Sequence, residues 1–341
     1  MRRPLFLLLV CAIARAADFS IAFIPDMQNQ TQYNTLLLNN MFHTIVNNAV
    51  TCTSPFCPAS GQWNTQAVLS LGDNTNTACG GQMATARAGW DIVKTSGIPF
   101  LVTIGNHDYN SQDPVSRVTS CFDTQFGPTY YSGLSWYGGG YPEGSNANSY
   151  ALVTIEGHQL LLMTLEFYPT AADITWATGV LGAHPGRQVI LTTHAYVTPE
   201  DAVPHPHRVL DGDTYGPTSY SLGGSCCLNG PEMFAALVQA YDIVVVNGGH
   251  FLDGPYHAHI SPQATNGAGH PVAELFSDYQ NDINNSWFTI VKFRDSIGKL
   301  EVYTYSYNLG VFDPNFPMYT LDWTPPTVGG GLFPLPSPRK H

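Results

Sequence analysis

The stretch FLVTIGNHD, residues 100 to 108, decides how the rest of the chain is read. Residues 100–104 form an apolar, partly β-branched run with the composition of a buried strand. Gly105 breaks it, and Asn106, His107 and Asp108 follow at once. A turn has use for Gly and Asn, whose backbones bend easily, but not for an imidazole and a carboxylate behind them. If the polar triplet is more than a turn, other strands should end the same way.

They do. Residues 19–24 read as a strand followed by Asp26 and Gln28, and residues 67–71 as a strand followed by Gly72-Asp73. Residues 188–192 lead to His194, and residues 243–246 to Gly248-Gly249-His250. A lone strand-end Asp is usually a helix cap or turn former. Metal-competent groups at the same end of every such strand are a different matter, because open α/β sheets place their sites at the carboxyl ends of strands. Helical patterns at 33–50 and 82–95 fall between the first three strands, so the order is strand, helix, strand, helix, strand. That order predicts an α/β fold with crossover connections. Farther on, residues 150–155 and 159–165 read as a hairpin around Glu156-Gly157-His158. Helices are expected at 174–181 and 232–241, and strands at 272–276, 287–293 and 300–305. Residues 109–148 and 195–230 read as long loops, which in a compact domain usually form functional rims.

The strand-end pattern resembles the calcineurin-like metallophosphoesterases. Their motifs run D-x-H, G-D, G-N-H-D or G-N-H-E, a lone His, then G-H-x-H. Here they stand as Asp26-Met27-Gln28, Gly72-Asp73, Gly105-Asn106-His107-Asp108, His194 and Gly249-His250. The Pro25-Asp26-x-Gln28 opening, Asp278-Tyr279-Gln280, Trp287 and Thr304-Tyr305-Ser306 resemble one subgroup of that family. The resemblance implies two facing mixed β-sheets flanked by helices, a four-layer α/β sandwich. It implies two divalent or trivalent metal ions (manganese, iron or zinc) and hydrolysis of a phosphate mono- or diester by a metal-activated water. By position it makes Asp26 and Gln28 ligands of one ion and Asn106, His194 and His250 ligands of the other, with Asp73 shared. His107 is then the general acid for the leaving oxygen, with Asp108 holding its imidazole.

The residue types suit that chemistry. Two divalent ions bring a charge of about +4, and Asp26 and Asp73 return −2, so the centre stays positive enough to hold a phosphate. A carboxylate has two oxygens and can touch two ions, which suits Asp73 as a bridge. Two positions depart from the family pattern. Gln28 stands where the pattern has His, and an amide oxygen is a harder donor than imidazole, favouring manganese, iron or magnesium over zinc. The last His of G-H-x-H falls on Leu252, which binds no metal; Asp253, His257 and His259 are the nearby candidates to replace it. Those departures motivate a rival reading, a non-catalytic secreted binding protein on the same scaffold.

Composition sets the surroundings. The chain has 341 residues, 44% hydrophobic and 12% aromatic, enough for one large domain with a sizeable core. A net charge of −12 argues against duplex nucleic acid as a partner, and a phosphate-ester small molecule or exposed phosphate group is expected instead. Residues 1–16 have the basic start, short apolar run and Ala14-Arg15-Ala16 ending of a secretory leader, and no later stretch is long and apolar enough to span a membrane. A domain at 17–320 and a Pro/Gly-rich tail at 321–341 complete the expected layout. Secretion fits the cysteines: Cys52 with Cys57 and Cys79 with Cys121 are plausible disulfides, and Cys226-Cys227 either bridge each other or reach elsewhere. Sequons at Asn29 and Asn284 allow glycosylation, doubtfully at Asn29, which lies beside the first motif. The aromatic run Tyr130, Tyr131, Trp136, Tyr137 and Tyr141 either walls a leaving group or packs in the core.

Overall fold

The computed structural model describes residues 17–47, 63–199, 207–222, 226–251, 258–260, 263–316 and 318–326. The expected leader, Cys52 and Cys57, His205, Leu252, Asp253, His257 and everything after residue 326 lie outside those residues, as does the side chain of His259.

Two mixed sheets carry the fold. The first is seven-stranded and runs β16 (Val311–Phe312), β15 (Lys299–Ser306), β14 (Trp287–Arg294), β1 (Phe19–Ile24), β2 (Thr65–Ser70) and β3 (Phe100–Leu101), with β17 (Tyr319–Asp322) also on β15. The second is eight-stranded: β11 (Ala258–Ile260), β13 (Pro271–Ser277), β10 (Ile243–Gly248), β7 (Gln188–Thr193), β6 (His158–Leu165), β5 (Asn148–Ile155) and β4 (Tyr137–Tyr141), with β12 (Ala264–Thr265) on β13. A short ribbon pairs β8 (Val197–Thr198) with β9 (His207–Arg208). In each sheet the central strands run parallel: β1 with β2 and β2 with β3, then β6 with β7, β7 with β10 and β10 with β13. Parallel strands covered on both faces need continuous apolar runs, and every residue of β1, FSIAFI, is buried. A hydroxyl pair, Thr103 Oγ1 and Thr192 Oγ1 at 2.9 Å, links the two sheets near the strand ends.

Helices cover the outside. α2 (Thr35–Asn47) buries Leu38, Met41, Phe42 and Ile45, a 3-4 spacing that makes one apolar face. That face meets Met83, Ala86, Trp90 and Val93 of α3 (Gln82–Ser96), with the Phe42 and Trp90 rings edge to face at 5.1 Å. α4 (Ser120–Phe126) is tied to the loop before α3 by the Cys79–Cys121 disulfide, and Cys226 bridges its neighbour Cys227. Most of the aromatic run packs in or against the core: Tyr131 stacks on Tyr137 at 4.9 Å, and Tyr130, Tyr131 and Trp136 all lie against Phe100, whereas Tyr141 is partly exposed and stacks on Trp176.

Several boundaries differ from the expectations, each for a local reason. β3 stops at Leu101 because side chains take over from the ladder: Thr103 Oγ1 donates to the Ser70 carbonyl at 2.6 Å, and Asn74 Nδ2 donates to the Thr103 carbonyl at 2.8 Å. The helix expected at 33–50 is α2, which begins at Thr35; a separate helix, α1 (Gln28–Tyr33), precedes it and is split from it at Asn34, whose φ is −144°, while residues 48–50 lie outside the described residues. The first motif therefore runs straight into a helix, and Gln28 is its first residue. The helix expected from residue 232 starts at Gly230, as α6 (Gly230–Met233), because Asn229 and Glu232 cap each other; a π-helical turn, Phe234–Val238, follows. The chain does not loosen at residue 321. β17 continues to Asp322, and Trp323 is buried against Phe19, Phe293 and His158 with its indole donating to Gln188 Oε1 at 2.9 Å.

Candidate metal centre

The two sheets present the ends of their central strands to each other, and the singled-out side chains collect there. Asp26 follows β1, Asp73 follows β2, Asn106 follows β3, His194 follows β7 and His250 follows β10. All are buried, His194 completely. One ligand-capable atom each from Asp26, Asp73 and His194 lies within 4.8 Å of the others.

His194 is the hub. Its Nε2 is 3.1 Å from Asn106 Oδ1, 3.2 Å from His250 Nδ1 and 3.3 Å from Asp73 Oδ1. The far nitrogens of both imidazoles face backbone carbonyls: His194 Nδ1 is 2.8 Å from Leu71 O, and His250 Nε2 is 3.3 Å from Tyr215 O and 3.1 Å from the Tyr220 hydroxyl. A carbonyl only accepts, so each far nitrogen carries a proton, and the two near nitrogens face each other at 3.2 Å beside the Asp73 and Asn106 oxygens. That arrangement calls for a cation, a proton or a metal ion, between them. Burial alone would push the His194 imidazole down, but the Asp73 and Asp26 carboxylates overcome it and hold it up at about 10. Burial, then the charge on His194, pushes His250 well down. With no other cation, a proton on His194 does the bridging. For Asp73, burial is outweighed by His194 and His107, and its carboxyl is held well below the usual range.

The neighbouring half is built from oxygens. Both oxygens of Asp26 lie against the His250 backbone N–H, at 3.2 and 3.3 Å. Gln28 Nε2 donates to Asp73 Oδ2 at 3.0 Å and to Gln280 Oε1. With its nitrogen fixed by two acceptors, the Gln28 amide has one orientation, and its Oε1 is buried without a hydrogen-bond partner. A buried carbonyl oxygen with no donor is what a missing cation would leave behind.

The backbone is shaped to allow this density. A Cβ on Gly105 would sit 2.1 Å from Asp73 Oδ1, and one on Gly249 would sit 2.1 Å from Asp26 Oδ2. Asp73 and His250 themselves have positive φ, 47° and 82°, conformations that cost energy in non-glycine residues and concentrate at functional sites.

The structure corrects one expectation. Asp108 does not hold the His107 imidazole. Its Oδ2 accepts from the backbone of Gly105 and Asn74 and from Asn74 Nδ2, and its Oδ1 accepts from the backbone and hydroxyl of Thr75, at 2.9 to 3.2 Å. Asn106–Asp108 is a single 3₁₀ turn, in which successive side chains diverge by about 120°. Asp108 therefore points back under Gly105 and clamps the Asp73 loop to the Asn106 loop. Burial and then Asp73 raise it to about 6. His107 takes its support from the Asn76 carbonyl, 3.1 Å from Nδ1, and its backbone N–H donates to Asp73 Oδ1 at 3.0 Å. Its Nε2 makes no hydrogen bond among the described residues, and the side chain is partly exposed.

Sequence reasoning assigned no role to Asp278, Gln280, Tyr215 or Tyr220. Asp278 was legible: it follows β13, one more central strand ending at the same edge. The tyrosines were not, because they come from a long loop whose path no periodicity predicts. Phe167, Tyr220 and Phe251 ring His250 at centroid distances of 4.8 to 5.4 Å.

Comparison with known proteins places the architecture. The fold is shared with a phosphatase. The solved structure of purple acid phosphatase PPD1 from yellow lupin (Lupinus luteus) seeds aligns with 95% of this chain at a TM-score of 0.50 and 10% sequence identity. This chain spans 58% of the lupin one. An uncharacterized Bacillus subtilis (strain 168) protein, YvnB, is 25% identical over 254 residues, which is 72% of this chain and 17% of YvnB. No family model matches the chain.

Proposed function

We propose that this protein is a secreted, metal-dependent phosphoric ester hydrolase. The observation that carries the reading is the pair of imidazole nitrogens, His194 Nε2 and His250 Nδ1, facing each other at 3.2 Å beside Asp73 and Asn106. Asn106, His194 and His250 would hold one cation, Asp26 and Gln28 another, and Asp73 would reach both. When bound, such a pair supplies Lewis-acid polarisation of the phosphoryl oxygens and a water of lowered pKa as nucleophile.

The chain's own residues do the rest. The Asn76 carbonyl fixes the tautomer and tilt of His107, leaving Nε2 as the nitrogen that meets substrate. As imidazolium, His107 donates the Nε2 proton to the departing ester oxygen; as imidazole it accepts one back. Its backbone N–H holds Asp73, so the proton donor and the shared carboxylate keep a fixed spacing. No helix among the described residues is long and apolar enough to cross a membrane, and the Cys79–Cys121 and Cys226–Cys227 bonds suit an oxidising compartment. Asn284 is exposed and open to a glycan, whereas both amide atoms of Asn29 are engaged, with the Gln280 carbonyl and Asn76 Nδ2.

The test is hydrolysis of aryl phosphate mono- and diesters by the purified chain. We expect turnover that a chelator abolishes and manganese, iron or zinc restores. Turnover indifferent to chelation would overturn the metal role. A chain that binds cations but hydrolyses neither ester class would favour the rival reading, a binding protein on this scaffold, which Leu252 in the place of a ligand motivates.

A further inference from the structure

Resting on that reading, we infer that Asp278 is a metal ligand, supplying the cation beside Asp26 with the donor that Leu252 cannot. Asp278 is buried, with a relative exposure of 2%, and follows β13 at the edge where Asp26 and His250 emerge. β10 and β13 are parallel with Gly248 opposite Phe276. His250 and Asp278 each come two residues after that pair, so they leave the sheet side by side. The Asp26 carboxylate closes the group: the position of a Cβ on Gly249 is 2.1 Å from Asp26 Oδ2 and 3.2 Å from the Ser277 carbonyl.

The neighbours of Asp278 hold it as a ligand is held. Its Oδ1 accepts from the Gln280 backbone N–H at 2.8 Å, and its Oδ2 from Gln280 Nε2 at 3.1 Å. Each oxygen keeps a further lone pair. The same Gln280 side chain, through Oε1, accepts from Gln28 Nε2 and so turns the buried, unpartnered Gln28 Oε1 away from itself. One glutamine thus fixes both a carboxylate and an amide oxygen. A buried carboxylate is unfavourable unless it is paired or joined to a cation.

With Asp278 included, the donors of this half are Asp26, Asp73, Gln28 and Asp278, all oxygen. The other half mixes oxygen with two imidazoles. An all-oxygen set suits a hard divalent ion such as manganese or magnesium, and the mixed set suits zinc or iron as well. The centre is then two unlike sites sharing one carboxylate.

Manganese titration of the purified full chain, read by the electron paramagnetic resonance of free manganese, tests this without reference to turnover. The parent should bind two ions. In Asp278→Asn, one binding step should weaken by about 100-fold or vanish while the other moves less than about threefold. Two steps unchanged from the parent would overturn the assignment and leave the phosphoesterase reading standing. A parent that binds no manganese would overturn both. Should Asp278→Asn fail to fold, anomalous diffraction from parent crystals grown with manganese decides instead. An Asp278 oxygen within about 2.5 Å of the peak beside Asp26 upholds the assignment; one beyond about 4 Å overturns it.

Discussion

Around His194 the chain presents imidazole nitrogens, each ring set by a backbone carbonyl behind it. Around Asp26 it presents oxygens, oriented by side chains, with Gln280 holding both Gln28 and Asp278. The first arrangement depends on the main-chain path of the loops at Leu71 and Tyr215. The second depends on a network of amides and carboxylates that reaches from α1 to the end of β13. A backbone-set site tolerates change around it but not the loss of its imidazoles. A side-chain-set site can be retuned by one substitution at a distance from any ion. The two halves therefore predict different kinds of failure.

The largest expected effect lies in the nitrogen half. His194→Ala removes the hub and leaves Asp26 and Asp73 buried without their partner. Breaking a buried charge pair costs about 3–5 kcal/mol, and turnover should fall below detection; a variant that retains both its melting temperature and its activity would break the comparison. Next is His107→Ala, which removes no donor of either half and keeps the backbone N–H that holds Asp73. Loss of a positioned proton donor lowers kcat by about 10²–10⁴-fold, and metal content should be unchanged. A parallel loss of metal would move His107 into the ligand set.

Gln280→Ala sharpens the contrast from the other side. It touches none of the nitrogen donors, yet it removes one support from the Gln28 amide and one from the Asp278 carboxylate together. Removing such an outer support typically weakens metal affinity by about 10–100-fold, and here only the oxygen half should feel it. Calorimetric titration with manganese separates the two steps; equal weakening of both would mean the halves are not independent.

How much of this was legible follows the same division. The strand-end residues Asp26, Asp73, Asn106, His194 and His250 could be read from sequence because each follows an apolar run that forms a central strand. Two facing mixed sheets were implied by the family resemblance and are what the chain builds. Asp108 was placed correctly but given the wrong partner, since sequence adjacency to His107 says nothing about how a 3₁₀ turn splays its side chains. The Gln28–Gln280–Asp278 network joins residues about 250 positions apart and depends on α1 beginning at Gln28, a boundary that no hydrophobic period marks.

The smallest effect on the centre itself is expected from a residue outside it, which serves as a control. Glu166 is buried with Tyr109, whose hydroxyl donates to it at 2.5 Å, and Arg117, at 3.1 Å. Burial, opposed by Arg117, raises it from 4.5 to about 7. A raised carboxyl pKa means the folded state binds the proton more tightly. Its contribution is therefore fully present below pH 4.5 and is lost as pH rises through 7. Glu166→Gln, which mimics the protonated form, should match the parent near pH 4.5 and gain on it by about 3 kcal/mol by pH 8. Denaturant melts at the two pH values check this; a gap that is the same at both would remove Glu166 from the account.

The most direct test of the central claim concerns the two imidazoles. Pulsed electron paramagnetic resonance of the chain loaded with manganese detects nitrogen bonded to the ion. We predict coupling from two imidazoles, reduced to one in His194→Gln and in His250→Gln. A manganese-loaded parent with no nitrogen coupling would contradict the claim that His194 and His250 share a cation.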